Sequence, residues 1–268
     1  MTRGVLATLV FLLSLYLIAA VILSRVQERM LFPAPTIPAE DLTEMARIAE
    51  ADELSVRSGE EILYGWHSPA GGTHAVLYFH GNASYTAANI LTMRAVNAAG
   101  WDFICVSPRG YPGSTGGPSP GFLRTDSLAA WRHTTEVLGF APEQIVLHGR
   151  SLGGGMAGEL LAEVEPGGVI LESTFRSMAQ LVQEKVPYFP MGLILKYPLR
   201  TEDRDVSAPV LILHGDTDEV VPVAHARALA EHFTHAEYVE VPGKGHNDGL
   251  LQDPVASRAL RAWLDSLR

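Results

Sequence analysis

The chain of 268 residues sets Lys+Arg 20 against Asp+Glu 30, for a formal net charge of -10 and a pI near 5.4, and 47% of its residues are hydrophobic. An acidic chain without a basic stripe offers nothing to a phosphate backbone, which excludes nucleic acid as a partner. So apolar a chain has the material for one large core, and its single cysteine, Cys105, excludes an intrachain disulfide and reads as core packing.

Residues 4–23 carry no charge. About 20 such residues, rising 1.5 Å each, match a hydrocarbon layer of roughly 30 Å, so residues 1–26 are expected to form a single-pass membrane helix. The stretch exceeds a signal-peptide core of about 7–15 residues and ends at Leu23 without a small-x-small cleavage site, which favours an uncleaved anchor. Arg3 flanks one end and Arg25 and Arg29 the other, so the side of the membrane is left open. Pro33, Pro35 and Pro38 predict extended chain, and residues 27–52 read as a tether and lead-in with a short helix over 41–50.

From residue 53 to 268 the pattern is that of a folded domain. Alternation over 53–58 and 61–68, joined at Ser58-Gly59, predicts an antiparallel hairpin. Short apolar runs at 75–79, 103–107, 144–147, 168–171, 210–213 and 237–241 then alternate with helix-length stretches at 87–99, 122–138, 152–163, 177–185, 224–233 and 254–267. That is an α/β pattern, a mostly parallel sheet with helices on both faces. The one irregularity is an insert at about 174–208, where a small lid has room; its apolar run offers Phe189, Met191, Leu193 and Ile194 as candidates for an acyl pocket.

The strongest chemical signal is Gly149-Arg150-Ser151-Leu152-Gly153, placed between a strand-like run and a helical one. Glycines two positions either side of a serine permit a sharp strand-to-helix turn that lifts the hydroxyl above the sheet edge, a nucleophile elbow. A serine hydroxyl needs a base, and the base an orienting carboxylate, following in the order Ser, Asp or Glu, His. Downstream, one strand ends in His214-Gly215-Asp216-Thr217-Asp218 and the next precedes Gly245-His246-Asn247. His246 is the candidate base. Spacing alone does not separate Asp216 from Asp218 as the acid; Asp218 lies further into the loop and is preferred, whereas Asp216 reads as a turn residue. Candidate oxyanion donors are the backbone N–H groups of Leu152, next to the nucleophile, and of Asn82, after the strand over 75–79. The Gly-rich stretch from Arg109 to Gly117 lacks the Gly-Lys-Ser/Thr of a phosphate loop and reads as a flexible loop beside the site. No cofactor and no metal are expected, because neither His-Glu-x-x-His nor clustered Cys and His with zinc spacing occurs.

Taken together, the apolar segment followed by Gln27-Glu28-Arg29-Met30-Leu31-Phe32-Pro33, then His80-Gly81-Asn82-Ala83, Arg109-Gly110-Tyr111, Gly149 to Gly154, His214 to Asp218 and Gly245-His246-Asn247 resemble the membrane-anchored α/β-hydrolase-domain proteins. These are related to the serine aminopeptidase-like and monoglyceride-lipase-like hydrolases. The resemblance implies the α/β-hydrolase fold, Asp218 as the acid, and cofactor-free hydrolysis of small-molecule esters or thioesters. Pro108 and Pro112 depart from the family pattern beside Arg109-Gly110-Tyr111. Two further readings stand beside the esterase: a serine peptidase or amidase using the same triad, and a non-catalytic membrane-tethered binding protein on the same fold.

Overall fold

The computed structural model describes residues 3–202 and 206–268; of the segments expected above, residues 1 and 2 of the anchor and 203–205 of the insert lie outside the described residues. A helix, α1 (Arg3–Leu31), opens the chain, and its apolar residues from Val5 to Ile22 are largely exposed. It is long and apolar enough to cross a membrane. The tether expected from Gln27 begins later than the sequence indicates, because the helix runs on to Leu31 and stops only ahead of Pro33. Its last turns are packed against the rest of the protein. Gln27 is buried, its Nε2 donating to the Ile194 carbonyl (3.3 Å) and its Oε1 accepting from the Lys196 amide (2.8 Å). Phe32 meets Phe122 and Tyr197 edge to face, at 5.1 and 4.8 Å between ring centres.

After α2 (Ala39–Ala49), β1 (Asp52–Ser58) and β2 (Glu61–Ser68) form the expected hairpin, paired antiparallel from Asp52↔His67 to Ser58↔Glu61. The parallel part follows: β3 (Ala75–Phe79), α3 (Ile90–Ala98) entered through a 3-10 turn at Thr86–Asn89, β4 (Asp102–Val106), and α4 (Phe122–Arg132), which loosens into a π turn at His133–Val137. Next come β5 (Ile145–Arg150), α5 (Leu152–Leu160), β6 (Gly168–Glu172), α6 (Met178–Lys185), the single turn α7 (Met191–Ile194), β7 (Val210–Gly215), α8 (Ala224–His232), β8 (Ala236–Val241) and α9 (Pro254–Ser266). Among the described residues eight strands make one sheet in the order β1-β2-β4-β3-β5-β6-β7-β8, parallel from β4 onward.

Every residue of β3, β4 and β6 is buried, as a parallel sheet covered on both faces requires. Alternate side chains divide between two apolar layers. Leu77, Phe79 and Leu147 face α4 and α5, while Val76, Tyr78 and Val146 face α3 and α9. This arrangement brings the carboxyl ends of β3, β5, β7 and β8 to one edge, where open α/β sheets place their ligands.

Candidate active site

At the end of β5 the chain turns into α5 through Ser151, whose φ of 51° and ψ of -116° lie in a region a side chain seldom occupies. The turn is possible because the flanking glycines leave no room for anything larger. A Cβ on Gly149 would stand 2.4 Å from the Gly153 carbonyl oxygen, and one on Gly153 would stand 1.9 Å from that of Phe79. The Ser151 amide donates to the Glu172 carbonyl (2.9 Å) and the Thr174 hydroxyl donates to the Ser151 carbonyl (2.7 Å). Strain at one residue is thus held by bonds to β6 and to the loop after it.

The three residues expected to act together are brought together. His246 Nε2 lies 3.0 Å from Ser151 Oγ, and His246 Nδ1 lies 2.7 Å from Asp218 Oδ2. Because an ionised carboxylate only accepts, Nδ1 carries the proton and Nε2 is left as the acceptor facing the serine hydroxyl. Asp218 Oδ1 accepts from the amides of Val220 (2.9 Å) and Val221 (2.7 Å). Burial pushes the Asp218 carboxyl up, but hydrogen bonds from His214, His246 and Val221, with the charge of His246, outweigh it and hold the group well below the usual carboxylate range. Asp216 is elsewhere engaged: its Oδ1 accepts from the Gly243 amide at 2.6 Å, a local turn.

Several supporting residues escape a reading of the sequence. His214 is fully buried, with Nε2 2.9 Å from the Val221 carbonyl and 3.3 Å from Asp218 Oδ2. A carbonyl accepts only, so Nε2 is protonated and its proton also leans toward the carboxylate. The signal was present as a histidine four residues before Asp218 at a strand end. Below the elbow, His148 Nε2 lies 2.9 Å from Glu172 Oε2, and Arg150 reaches from Glu172 (3.5 Å) to donate to the His246 carbonyl (2.7 Å). Burial raises the Glu172 carboxyl, yet the hydrogen bond and charge of His148, with Arg150 and His246 nearby, bring it below its ordinary value. One carboxylate therefore ties the elbow to the histidine loop.

The two oxyanion candidates line the same cavity as Ser151. Leu152 is the first residue of α5, so its amide has no carbonyl within the helix to bond, and the helix N-terminus favours negative charge there. Asn82 lies in the loop after β3, and its backbone N–H makes no hydrogen bond with another protein group among the described residues. A cavity of about 490 Å³ opens over Ser151 and His246. Its walls are mostly apolar, including Leu152, Phe175, Met178, Leu181 and Val221, with Met30 and Leu31 from α1 closing one side.

The four residues expected to form an acyl pocket do not line this cavity, and the expectation is corrected. Phe189 stacks on Tyr16 of α1, 4.9 Å between ring centres at 6°. Met191 is buried apart from the cavity, Leu193 is 88% exposed, and Ile194 offers its carbonyl to Gln27. Within the run 188–197, Phe189 and Tyr197 meet α1 through Tyr16 and Glu28, while the side chains of Tyr188 and Leu193 are exposed. The stretch after β4 is likewise no free loop. The Ser114 hydroxyl donates to the Ser107 carbonyl (2.7 Å) and accepts from the Tyr64 amide (2.8 Å), and Arg109 pairs with the buried Asp126 (2.6 Å). Only Tyr111 reaches toward the site, donating to Asn82 Oδ1 at 2.8 Å.

An elbow at the end of β5, an acid after β7 and a histidine after β8 define the α/β-hydrolase arrangement. The chain belongs to that family: residues 74–193 match the alpha/beta hydrolase fold model, and residues 195–268 match a second model, TAP-like protein. It is 32% identical to the uncharacterized protein Rv2307c of Mycobacterium tuberculosis over 77% of this chain and 73% of that one. It is 30% identical to protein bem46 of Schizosaccharomyces pombe over 90% of this chain and 87% of that one. Among solved structures, Est1E of Butyrivibrio proteoclasticus with ferulic acid bound superposes with a TM-score of 0.67 at 18% identity, over 80% of this chain and 98% of that chain.

Proposed function

We propose that the protein is a membrane-anchored serine hydrolase that cleaves carboxylic esters or acyl thioesters through an acyl-enzyme on Ser151. The observation that carries this reading is the unbroken hydrogen-bonded line Ser151–His246–Asp218 at the floor of an apolar cavity. His246 Nε2 takes the proton as Ser151 Oγ attacks the acyl carbon, and Asp218 holds the ring in the tautomer that makes this possible. The developing oxyanion is met by the Leu152 and Asn82 amides, each such donor being worth about 3 kcal/mol. His246 then protonates the leaving alcohol or thiol. A water molecule, deprotonated by the same nitrogen, releases the acid and restores Ser151.

Two features support the ester class. The cavity walls beside Ser151 are chiefly apolar, which suits an acyl chain, and the structural neighbour Est1E holds ferulic acid. The anchor reading is supported by α1 itself. Removing residues 1–26 as a leader would take away the Tyr16 stack on Phe189 (4.9 Å) and the bond from its hydroxyl to the Tyr188 carbonyl (3.0 Å), which hold the apolar part of the helix to the domain. The test is labelling of the full chain by a fluorophosphonate probe, wild type against Ser151→Ala, followed by p-nitrophenyl esters of increasing length. Labelling lost only in the variant is expected. A folded wild type that neither labels nor turns over any ester would overturn the reading.

A further inference from the structure

The end of the N-terminal helix does more than tie the protein to a membrane. Met30 and Leu31 form part of the wall of the cavity above Ser151, and Met30 stands at its rim, 62% exposed. The same turn is bonded to the loop that carries one oxyanion donor. Asn82 Nδ2 donates to the Leu31 carbonyl, and Asn82 Oδ1 accepts from the Tyr111 hydroxyl (2.8 Å) and the Ala83 amide (3.0 Å). The Ala83 amide also points at the Pro33 carbonyl, 3.1 Å away. Ala83 has φ 52°, a left-handed conformation that a non-glycine residue keeps only when its surroundings hold it. What holds it is the chain leaving α1.

On the other side the loop lies within van der Waals reach of the elbow. A Cβ on Gly81 would stand 3.4 Å from Ser151 Cβ and 3.2 Å from Arg150 Nη1. The loop from His80 to Ala83 therefore lies between the elbow and the end of α1 and is bonded to the latter. The helix end is itself immobilised by the buried Gln27, by Glu28 on Tyr197 and by Phe32 in the core.

Resting on the ester-hydrolase reading above, we propose that the last turn of α1 is a built part of the catalytic site. In it Met30 and Leu31 select the acyl group, and Asn82 is a positioning residue whose side chain, held by the Leu31 carbonyl and Tyr111, sets its own backbone N–H toward the oxyanion. The helix that anchors the protein is then also the element that shapes its substrate range. A bulky residue at position 30 narrows the cavity mouth. Truncation at Asn82 frees the donor loop without touching the Ser151–His246–Asp218 line.

The experiment uses the full chain in detergent micelles, with p-nitrophenyl esters from acetate to palmitate. Met30→Trp is expected to lower kcat/KM on the longest esters it still accepts by about tenfold or more relative to acetate, the size of effect a few methylenes of lost contact produce. Asn82→Ala keeps the backbone N–H but frees it, and is expected to lower kcat by about tenfold or more, up to the roughly 10²-fold of a lost transition-state donor, with KM little changed. Tyr111→Phe, which removes one of the three hydrogen bonds on the Asn82 side chain, should fall between wild type and Asn82→Ala in kcat. Met30 is exposed, so its variants carry no folding liability, and thermal melts control for Asn82→Ala. An active, labelled wild type whose Met30→Trp variant keeps the wild-type chain-length profile, or whose Asn82→Ala variant changes KM alone, overturns this proposal and leaves the ester reading standing. A wild type that neither labels nor hydrolyses removes both.

Discussion

Replacing Asp218 by asparagine tests the proposed roles at their most sensitive point. In the native site Oδ1 receives two amides, at 2.9 and 2.7 Å, while Oδ2 faces two ring N–H groups, His246 at 2.7 Å and His214 at 3.3 Å. Asparagine can be seated in two ways. With its NH2 toward Val220 and Val221, two buried amide donors lose their acceptor, at about 1–3 kcal/mol each. With its oxygen kept for those amides, its NH2 meets His246 Nδ1, which must then accept; the proton moves to Nε2, and Ser151 Oγ faces a donor instead of a base. The second seating costs less and destroys the tautomer. The expected loss in kcat/KM is about 10⁴-fold, near 5.5 kcal/mol of transition-state stabilisation, with the backbone undisturbed. Steady-state hydrolysis of a p-nitrophenyl ester measures it, with Asp216→Asn as the comparison, since Asp216 serves only the Gly243 turn. An Asp218→Asn enzyme within about tenfold of wild type would refute the assigned tautomer and with it the role of Asp218.

Gly153→Ala places a Cβ 1.9 Å from the Phe79 oxygen and 2.5 Å from its carbonyl carbon, backbone that cannot swing aside; we expect a loss on the order of 3 kcal/mol or more and a fall in Tm of roughly 6–12 °C. A melt unchanged from wild type would show that the elbow can relax. His80 is buried, and burial, against a hydrogen bond to the Gly81 carbonyl and with the Arg150 charge nearby, lowers its pKa to about 4. The unfolded chain takes up that proton near pH 6.5 and the native one only near 4, so His80 makes stability fall as pH drops through this window, by about 3 kcal/mol, and His80→Gln should flatten the slope in denaturant titrations. Equal slopes would contradict the assignment. Arg227 and Glu240 pair at 2.8 Å with side chains 56% and 30% exposed, so Arg227→Ala should leave stability nearly unchanged by the same measurement.

How much of this was legible before the structure depends on whether burial or backbone pairing decided the outcome. β3 was readable to the residue because Ala75–Phe79 is an unbroken apolar run between polar neighbours. β5 and β7 run past the last apolar residue, because Arg150 still pairs with Glu172 and Gly215 with Val241, pairings that side-chain polarity does not announce. β4 begins at Asp102, a carboxylate buried in the sheet where it binds His67 at 2.8 Å and the Ala70 amide at 2.8 Å. Helix α1 outlasted its apolar signal because Gln27 and Glu28 found partners in the domain, which a charge-based boundary cannot foresee. Ser151, His246 and Asp218 stood out because each lies in a glycine-marked turn after a strand. The acyl-pocket expectation failed for a different reason: it took a local cluster of apolar residues as a cavity, whereas the cavity wall is drawn from residues scattered between Met30 and Asn247.

The same contrast explains why the site is stable despite its contents. A strained serine, two buried carboxylates and four buried histidines are gathered at one sheet edge, and any of them alone would be costly. Most of their polar atoms are met by a group that another must hold: Glu172 accepts from His148 and faces Arg150, Arg150 holds the His246 carbonyl, and Asp218 answers His246, His214 and two amides, whereas Nδ1 of His148 and of His214 has no hydrogen-bond partner among the described residues. In a network so shared, removing one member breaks several bonds. Removing Arg150 therefore leaves Glu172 underpaired and the His246 loop untied at once, so a single Arg150→Met change should lower both stability and kcat, whereas the exposed Arg227 should lower neither appreciably. A loss confined to stability would mean that the His246 loop holds its place without Arg150, and that the catalytic line depends on Asp218 alone.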